Sequence, residues 1–193
     1  MTSGPTPVAP GPLPTRRDAL GLKAASTARG SMRAVGFDPG LAATGFAAVE
    51  TSRQGVAVLG TGVIRTHSSD AIEVRLERLF DGVHEVLGSF TPDLVVVEDV
   101  FSAPAVPGTA ILMGHARAVI CLAGRQRKVD ILSVAPAEVK RAVTASGAAS
   151  KGQVARAVQA LLGLPTAPRP SHVADALALA VTGLSRAHGL GRR

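Results

Sequence analysis

Several side chains at the ends of predicted elements could together hold divalent metal ions. Asp38 closes the first predicted strand, and Glu98 with Asp99 closes the fourth. His172 and Asp175 stand in the first turn of the last predicted helix. Two divalent ions about 3.5–4 Å apart, held by such oxygen-rich sets, can catalyse phosphodiester hydrolysis. The combination indicates a metal-dependent nuclease, whereas each residue alone is more typical of a turn, a helix-dipole partner or a solvated surface.

Two strands and one helix must bring these residues together. Arg33–Asp38 and Leu94–Glu98 are apolar runs typical of buried strands. If they are parallel neighbours, their carboxyl ends lie on the side of the sheet where ligands bind in open α/β folds. His172 and Asp175 are three residues apart and share one helix face. That face is rotated away from the apolar stripe of the same helix, which consists of Val173, Leu177, Val181 and Leu184.

The apolar pattern predicts an α/β fold with a mixed five-stranded sheet flanked by helices. The predicted strands are 33–38, 44–50, 56–65, 94–98 and 129–134. The predicted helices are 70–89, 109–127, 136–143, 151–162 and 171–186. Asp70 with Glu73 has the spacing of a capping box at the start of the first helix. Three strands followed by alternating helices and strands therefore predict an antiparallel meander joined to parallel strands.

The 193 residues, 46% of them hydrophobic, are enough for one domain with a single core. Residues 1–31 are rich in proline and alanine, so we predict a disordered extension there, a domain at 32–187 and a basic tail at 188–193. The extension lacks the apolar stretch of a secretory signal, and an organellar transit peptide is the alternative. No apolar run reaches the roughly 18 residues of a membrane span. The single cysteine, Cys121, excludes a disulfide framework and a cysteine-based zinc site, so we expect a reducing, cytoplasmic setting.

Charge is divided unevenly along the chain. Residues 33–100 hold ten acidic and five basic side chains, and residues 101–193 hold three acidic and twelve basic ones. The net charge of the whole chain is +7. An acid-rich half joined to a basic half suits an enzyme that acts on a polyanion, although a basic surface also serves solubility alone.

Several motifs identify a resemblance to one family. The run MRAVGFDPGLAATGF at 32–46 resembles the opening of RuvC-type Holliday junction resolvases. Further motifs resemble that family in the same order, namely VEDVF at 97–101, MGHA at 113–116, PAEVK at 136–140, TASG at 144–147, SKGQV at 150–154, LLGL at 161–164 and HVADALA at 172–178. The resemblance covers about residues 32–186, which is the whole predicted domain.

The resemblance implies an RNase H-like fold and a homodimer that nicks four-way DNA junctions symmetrically, in recombination and repair. It implies Asp38, Glu98, His172 and Asp175 as the catalytic, metal-binding set for Mg²⁺ or Mn²⁺, with two ions per active site. Water rather than a protein side chain would attack phosphorus, leaving a 5′-phosphate and a 3′-hydroxyl. Asp99 stands where many relatives carry Arg and is left outside the set. Both a metal ligand and a proton-transfer group remain open for His172, and an imidazole ligand favours Mn²⁺ over Mg²⁺.

The resemblance also implies contacts with DNA and with other proteins. Lys140 and Lys151 match basic positions that contact the junction, and Phe101 matches an aromatic residue that can stack on an unpaired base; a core role for Phe101 is the alternative. Arginines expected to contact phosphates are Arg125, Arg127, Arg141 and Arg156. The helix at 109–127, rich in small residues, packs on its twofold mate in the family, or else packs on its own sheet. The branch-migration proteins RuvA and RuvB are implied as partners.

Three other functions share part of this pattern. An RNase H-like nuclease that trims ribosomal RNA precursors has the same Asp-x-Gly opening, but it is shorter and lacks the Lys140 and Lys151 region. An actin-like ATP-binding fold would also begin with Asp38, Gly40 and Thr44, but it needs a second phosphate loop that this chain lacks. A non-catalytic junction-binding module would not need the four-residue metal set.

Overall fold

Strands and helices follow the order that the sequence predicts, in a computed structural model that describes residues 31–52, 55–99 and 107–190. The strands are β1 Arg33–Asp38, β2 Ala43–Ser52, β3 Gly55–Arg65, β4 Leu94–Glu98 and β5 Asp130–Val134. The helices are α1 Ile72–Phe90, α2 Pro107–Gln126, α3 Pro136–Thr144, α4 Lys151–Leu161 and α5 Ser171–Leu190. Phe101 lies outside the described residues.

One mixed sheet of five strands carries the described fold, in the order β3-β2-β1-β4-β5. β1 pairs antiparallel with β2 and parallel with β4, and β5 continues the parallel part beside β4. Phe37 pairs with Val97 across β1 and β4. The last residues of these two strands, Asp38 and Glu98, therefore lie side by side at the same edge of the sheet. This arrangement confirms the predicted α/β class and the predicted parallel neighbours.

Helices cover both faces of the sheet. Val95 and Val97 of β4 pack towards α1 and α2, while Leu94 and Val96 pack towards α5. All four side chains are buried. A strand that is covered on both faces needs apolar residues at every position, which explains why β4 is a continuous apolar run.

Helix α5 lies unusually close to β1 and β2 because glycines face it. A Cβ atom added to Gly36 would lie 2.2 Å from the carbonyl oxygen of Ala176. A Cβ atom added to Gly45 would lie 2.2 Å from the carbonyl oxygen of His172. Only a residue without a Cβ fits at these two contacts with backbone atoms. The glycines therefore set how near the first turn of α5 comes to the end of β1.

Helix α1 begins later than predicted, and the predicted capping box is wrong. The helix starts at Ile72 after Ala71, and no side chain caps it. Asp70 instead accepts a hydrogen bond from Nη1 of Arg78 at 2.9 Å, which removes its carboxylate from the helix end. An ion pair with an exposed arginine thus replaces the expected cap.

Described structure continues slightly past both predicted domain boundaries. Ser31, assigned to the N-terminal extension, donates a hydrogen bond to Oε1 of Glu50 at 3.1 Å. Helix α5 continues to Leu190, beyond the predicted domain end at 187. Residues 1–30 and 191–193 lie outside the described residues. Within the described part of the chain, no helix is both long and apolar enough to cross a membrane.

Candidate active site

The four predicted metal-binding residues line one pocket, although they are far apart in the chain. Asp38 ends β1, Glu98 ends β4, and His172 and Asp175 project from the first turn of α5. Their pocket, which we call the acidic pocket, has a volume of about 480 Å³. It opens where the carboxyl ends of parallel strands meet an arriving helix, the usual location of a ligand site in an α/β sheet.

His172 and Asp38 are held together directly. Nδ1 of His172 and Oδ2 of Asp38 are hydrogen-bonded at 2.7 Å, and Nδ1–H is the donor when Asp38 is ionised. The Asp38 side chain is 15% exposed and that of His172 is 38% exposed, so the imidazole lies nearer to solvent than the carboxyl group. A hydrogen bond at Nδ1 leaves Nε2 as the nitrogen with a free lone pair, as in histidines that bind metals through one nitrogen and a carboxylate through the other.

The pocket does not stabilise the ionised forms of all its carboxyl groups. Burial, followed by the nearby Asp38 and Asp175 carboxylates, raises the pKa of Glu98 from 4.5 to about 7. Burial also raises the pKa of Asp38, against the lowering effect of the hydrogen bond from His172. Ionised acids so placed are costly unless cations accompany them. The pocket therefore has the electrostatics of a cation site.

Two lysines reach the same pocket from outside the acidic group. Nζ of Lys151, at the start of α4, lies 3.4 Å from Oδ2 of Asp175. Lys140 lines the pocket from α3. The charges of both lysines lower the pKa of Glu98, against burial and the two neighbouring carboxylates. The Lys151 side chain is 75% exposed, so it is free to exchange a carboxylate for a phosphate at little cost.

The donor set matches hard divalent ions in chemistry. Three carboxylates and one imidazole suit Mg²⁺ and Mn²⁺, with the nitrogen ligand favouring Mn²⁺. In the described ranges, no three histidine, cysteine or acidic side chains are already drawn as closely together as a bound ion requires. Carboxylates repel one another at short range, so a cation would be needed to close the set. The residues fit such a cation by type, burial and location.

Asp99 faces away from this group. Its Oδ1 lies 3.5 Å from Nη2 of Arg117 on α2, and the same nitrogen donates to Oγ of Ser133 on β5 at 2.7 Å. Asp99 therefore ties β4 to α2 and β5, and it does not line the acidic pocket. Residues that the sequence analysis missed also line the pocket, among them Thr109 and Met113 at the start of α2. The MGHA motif at 113–116 was the one signal that pointed to Met113, and no motif contained Thr109.

The predicted phosphate contacts fall into different regions. Arg141 is exposed on α3 but does not line the acidic pocket. Arg125 lies in the last turn of α2, roughly 24 Å along the helix axis from Thr109. Arg127 donates to the carbonyl oxygen of His84 at 3.0 Å. Of the predicted basic DNA contacts, the structure gathers Lys140 and Lys151 at the pocket.

Helix α2 has a buried face and an exposed apolar face. Ala116, Ile120 and Ala123 are buried against the sheet. On the other side, Ile111 is 60% exposed and Leu122 is 53% exposed. Packing on the sheet therefore uses one side of the helix and leaves a second apolar side without cover among the described residues.

We predict that replacing Glu98 stabilises the metal-free protein at high pH. The raised pKa means that the fold binds the Glu98 proton more tightly than the unfolded chain, so this stabilisation is present below pH 4.5 and is lost as the pH rises through about 7. Glu98→Gln should remove about 3 kcal/mol of penalty at pH 8.5, roughly 6–12 °C in Tm.

The measurement is thermal unfolding in a chelator at pH 5 and pH 8.5. Exposed Glu77→Gln serves as the control and should change Tm little at either pH. Equal Tm differences for Glu98→Gln at the two pH values would contradict the prediction.

Comparison with known proteins identifies the family. Residues 34–183 match the family model described as crossover junction endodeoxyribonuclease RuvC. The crossover junction endodeoxyribonuclease RuvC of Rhodopirellula baltica is 38% identical over 165 residues, 85% of this chain and 93% of the relative. That of a Parafrankia species is 43% identical, over 83% of this chain and 90% of the relative.

A solved structure shows the same fold. Thermus thermophilus RuvC in complex with a Holliday junction substrate superimposes with a TM-score of 0.76 at 34% identity, covering 82% of this chain and 96% of that one. The predicted RNase H-like fold is confirmed by this similarity. With a family match across nearly the whole described fold and relatives this similar, the chain belongs to the RuvC family of crossover junction endodeoxyribonucleases.

Proposed function

We propose that this protein is a nuclease that resolves four-way DNA junctions, in recombination and repair in the cytoplasm. The observation that carries the proposal is the meeting of Asp38, Glu98, His172 and Asp175 at one pocket in a chain of this family. Lysines border the acids, so the pocket can accept a phosphodiester beside a cation site. Cutting at two symmetric positions would leave 5′-phosphate and 3′-hydroxyl ends that ligase can join.

Mg²⁺ or Mn²⁺ is the proposed cofactor, with two ions in each active site. Asp38, Glu98 and Asp175 would hold them through carboxylate oxygens, and His172 through Nε2. When bound, such ions supply Lewis-acid stabilisation of the charge that develops on the phosphate and make water a stronger nucleophile. The raised pKa of Glu98 supports this assignment because burial and then the neighbouring carboxylates raise it, and a bound cation would offset both effects.

The protein's own side chains would position the strand. Lys151 can release Asp175 and turn its ammonium group to a phosphate oxygen, and Lys140, which lines the pocket from α3, can contact a phosphate oxygen there. Asp38 fixes the ring of His172 through the Nδ1–H bond, so Nε2 keeps one orientation. Arg125 and Arg141 remain proposed DNA contacts away from the acidic pocket, and Phe101, which lies outside the described residues, remains a proposed contact as well.

A homodimer would place two such sites on one junction. The exposed apolar side of α2, with Ile111 and Leu122, is the proposed interface, because a twofold contact is formed by the same patch on both subunits. RuvA and RuvB are the proposed partner proteins, on the family relationship alone. The nuclease domain is proposed to span 32–187, and most of the predicted N-terminal extension and half of the predicted basic tail lie outside the described residues.

The decisive experiment offers the purified protein a synthetic mobile four-way junction with Mg²⁺ or Mn²⁺. Paired nicks at symmetric positions, sealed by ligase, are the expected result. Matched RNA hairpins and linear duplex DNA should be cut far less. Preference for RNA or scattered single-strand degradation would overturn the proposal in favour of an RNA-processing nuclease, and binding without cutting would favour a non-catalytic module.

Metal preference is expected to depend on His172. The wild-type protein should turn over faster with Mn²⁺ than with Mg²⁺, because an imidazole ligand favours the softer ion. His172→Asp, which supplies an oxygen ligand, should lower the Mn²⁺-to-Mg²⁺ rate ratio. Single-turnover junction cleavage across a titration of each metal measures this ratio. Equal or lower wild-type rates with Mn²⁺, or an unchanged ratio in the variant, would contradict the assignment of His172 as a ligand.

Charge on the exposed side of α2 is expected to break the dimer. Leu122→Asp should yield a monomer that loses paired cutting, since burying a carboxylate in an apolar interface is strongly unfavourable. Sedimentation and junction cleavage measure the two effects. Leu161→Asp is the matched control, because Leu161 on α4 is 49% exposed and lies outside the proposed interface. A Leu122→Asp protein that sediments like wild type would remove α2 as the interface.

A further inference from the structure

A second cavity adjoins the acidic pocket on the far side of His172. Its volume is about 230 Å³. Gly40, Thr109, Met113 and His172 line both spaces, so the two are contiguous. The wall that belongs to the second cavity includes Arg75 from α1, and we call this space the Arg75 cavity.

Arg75 is a buried cation with little to compensate it. The residue is 9% exposed, so the side chain as a whole is largely removed from water. Its Nε donates to Oγ1 of Thr66 at 3.0 Å. Among the described residues, Arg75 has no acidic partner within salt-bridge distance, and its two terminal nitrogens make no hydrogen bond to protein. Neither terminal nitrogen is fully buried, since neither is among the fully enclosed unpartnered atoms of the described chain.

The Arg75 cavity has the charge of an anion site. No acidic side chain lines it among the described residues, in contrast to the acidic pocket next to it. A buried guanidinium without a counter-charge is costly, and a carboxylate or phosphate is the group that best offsets it. Its planar donor fork also binds phosphate oxygens in pairs.

We propose that the Arg75 cavity holds a backbone phosphate of the cut DNA strand, next to the phosphate that is cleaved. This inference rests on the proposed junction-cutting function. A strand that enters the acidic pocket and continues past His172 would meet the guanidinium of Arg75 in the contiguous cavity. Phosphates of one strand repeat at close, regular intervals, so one enters each of two adjoining spaces. Arg75 is thus a binding residue that sets the register of the strand relative to the cut.

A purely structural role for Arg75 is the competing explanation. A substitution of Thr66 distinguishes this role from phosphate binding. Oγ1 of Thr66 donates to the carbonyl oxygen of Leu41 at 2.6 Å while it accepts from Nε of Arg75. This chain of bonds ties α1 to the turn after β1. Removing the hydroxyl of Thr66 breaks that chain but leaves the guanidinium charge in place.

The test measures junction binding in a chelator, so that no cutting occurs, by fluorescence anisotropy at several salt concentrations. For Arg75→Met we expect about tenfold weaker binding. The slope of log Kd against log salt concentration should fall by about 0.7–0.9 for each Arg75 removed. Arg75→Lys should keep the slope, because it keeps the charge. Thr66→Val should lower Tm and keep the slope. Arg78→Met is the matched charge control and should change the slope much less. Arg78 lies on α1 like Arg75, but it is exposed and already paired with Asp70.

A neutral phosphate analogue locates the contact. A series of junctions is prepared, each with a single methylphosphonate at a different position near the cut. The wild-type protein should bind these junctions more weakly than the unmodified one. At one position the Arg75→Met protein should show no such loss of affinity. An Arg75→Met protein with the wild-type slope and a Tm lowered like that of Thr66→Val would overturn the proposal in favour of a structural role. Failure of the wild-type protein to cut junctions would instead refute the proposed function, so the two failures are distinguishable.

Discussion

Asp38→Asn is expected to abolish strand cutting while junction binding persists. The amide keeps the shape of Asp38 and can remain beside His172, but it removes the negative charge that a divalent ion needs. Stabilisation by a catalytic ion amounts to several kcal/mol, so the rate should fall about a thousandfold or more. Binding should persist because its charge comes from Lys140, Lys151 and other basic groups, and removing one acid lowers repulsion of DNA.

Single-turnover cleavage and anisotropy on the same junction separate the two effects. Asp99→Asn is the matched control. Asp99 is also an aspartate next to a strand end, directly after β4, but it faces Arg117 instead of the pocket. This variant should cut within a few-fold of wild type. An Asp38→Asn protein with more than a tenth of the wild-type rate would contradict the metal-binding role. An equal loss of cutting rate in Asp99→Asn would show that Asp99 also belongs to the catalytic set.

Gly45→Ala is expected to disable the protein without touching a charged group. The added Cβ would lie 2.2 Å from the carbonyl oxygen of His172 and 2.8 Å from its Cβ atom, so the first turn of α5 must shift. Overpacking of this kind costs about 1–3 kcal/mol, or roughly 2–12 °C in Tm. A displacement of about 1 Å in catalytic groups can cost roughly a hundredfold in rate. Cutting should therefore fall by about that factor even where the protein remains folded.

The rate of the folded fraction is the informative quantity, so cleavage is measured well below the Tm of the variant. Gly108→Ala is the control, because a Cβ atom there meets no atom of the described residues within 4 Å. It should leave Tm and rate nearly unchanged. A Gly45→Ala protein that cuts at the wild-type rate would show that α5 can move without disturbing His172 and Asp38.

Local sequence was sufficient for the elements that carry strong patterns. β1 and β4 have the bounds that their apolar runs predict, Arg33–Asp38 and Leu94–Glu98, because a strand buried on both faces leaves no ambiguity at its ends. The start of α1 was not predictable in the same way. Asp70 has two available partners, the helix end and Arg78, and only the positions of both in space decide between them.

Candidate site residues divide along the same line. Asp38, Glu98, His172 and Asp175 could be named from chemistry, spacing and family motifs, and their pocket follows once β1 and β4 are parallel neighbours. Residue type alone does not distinguish Arg75 from the other arginines. Its burial and its place beside His172 arise from contacts between α1, the turn after β1 and α2.

The amino-acid sequence by itself determined the α/β class, the order of the elements and the acids that end β1 and β4, because these depend on local polarity and spacing. Tertiary structure alone decided three other features: the closeness of α5 to Gly36 and Gly45, the pairing of Lys151 with Asp175, and the burial of Arg75 without an acidic partner among the described residues. Each of them depends on distances between segments remote in the chain. Packing sets those distances, and no local pattern encodes them.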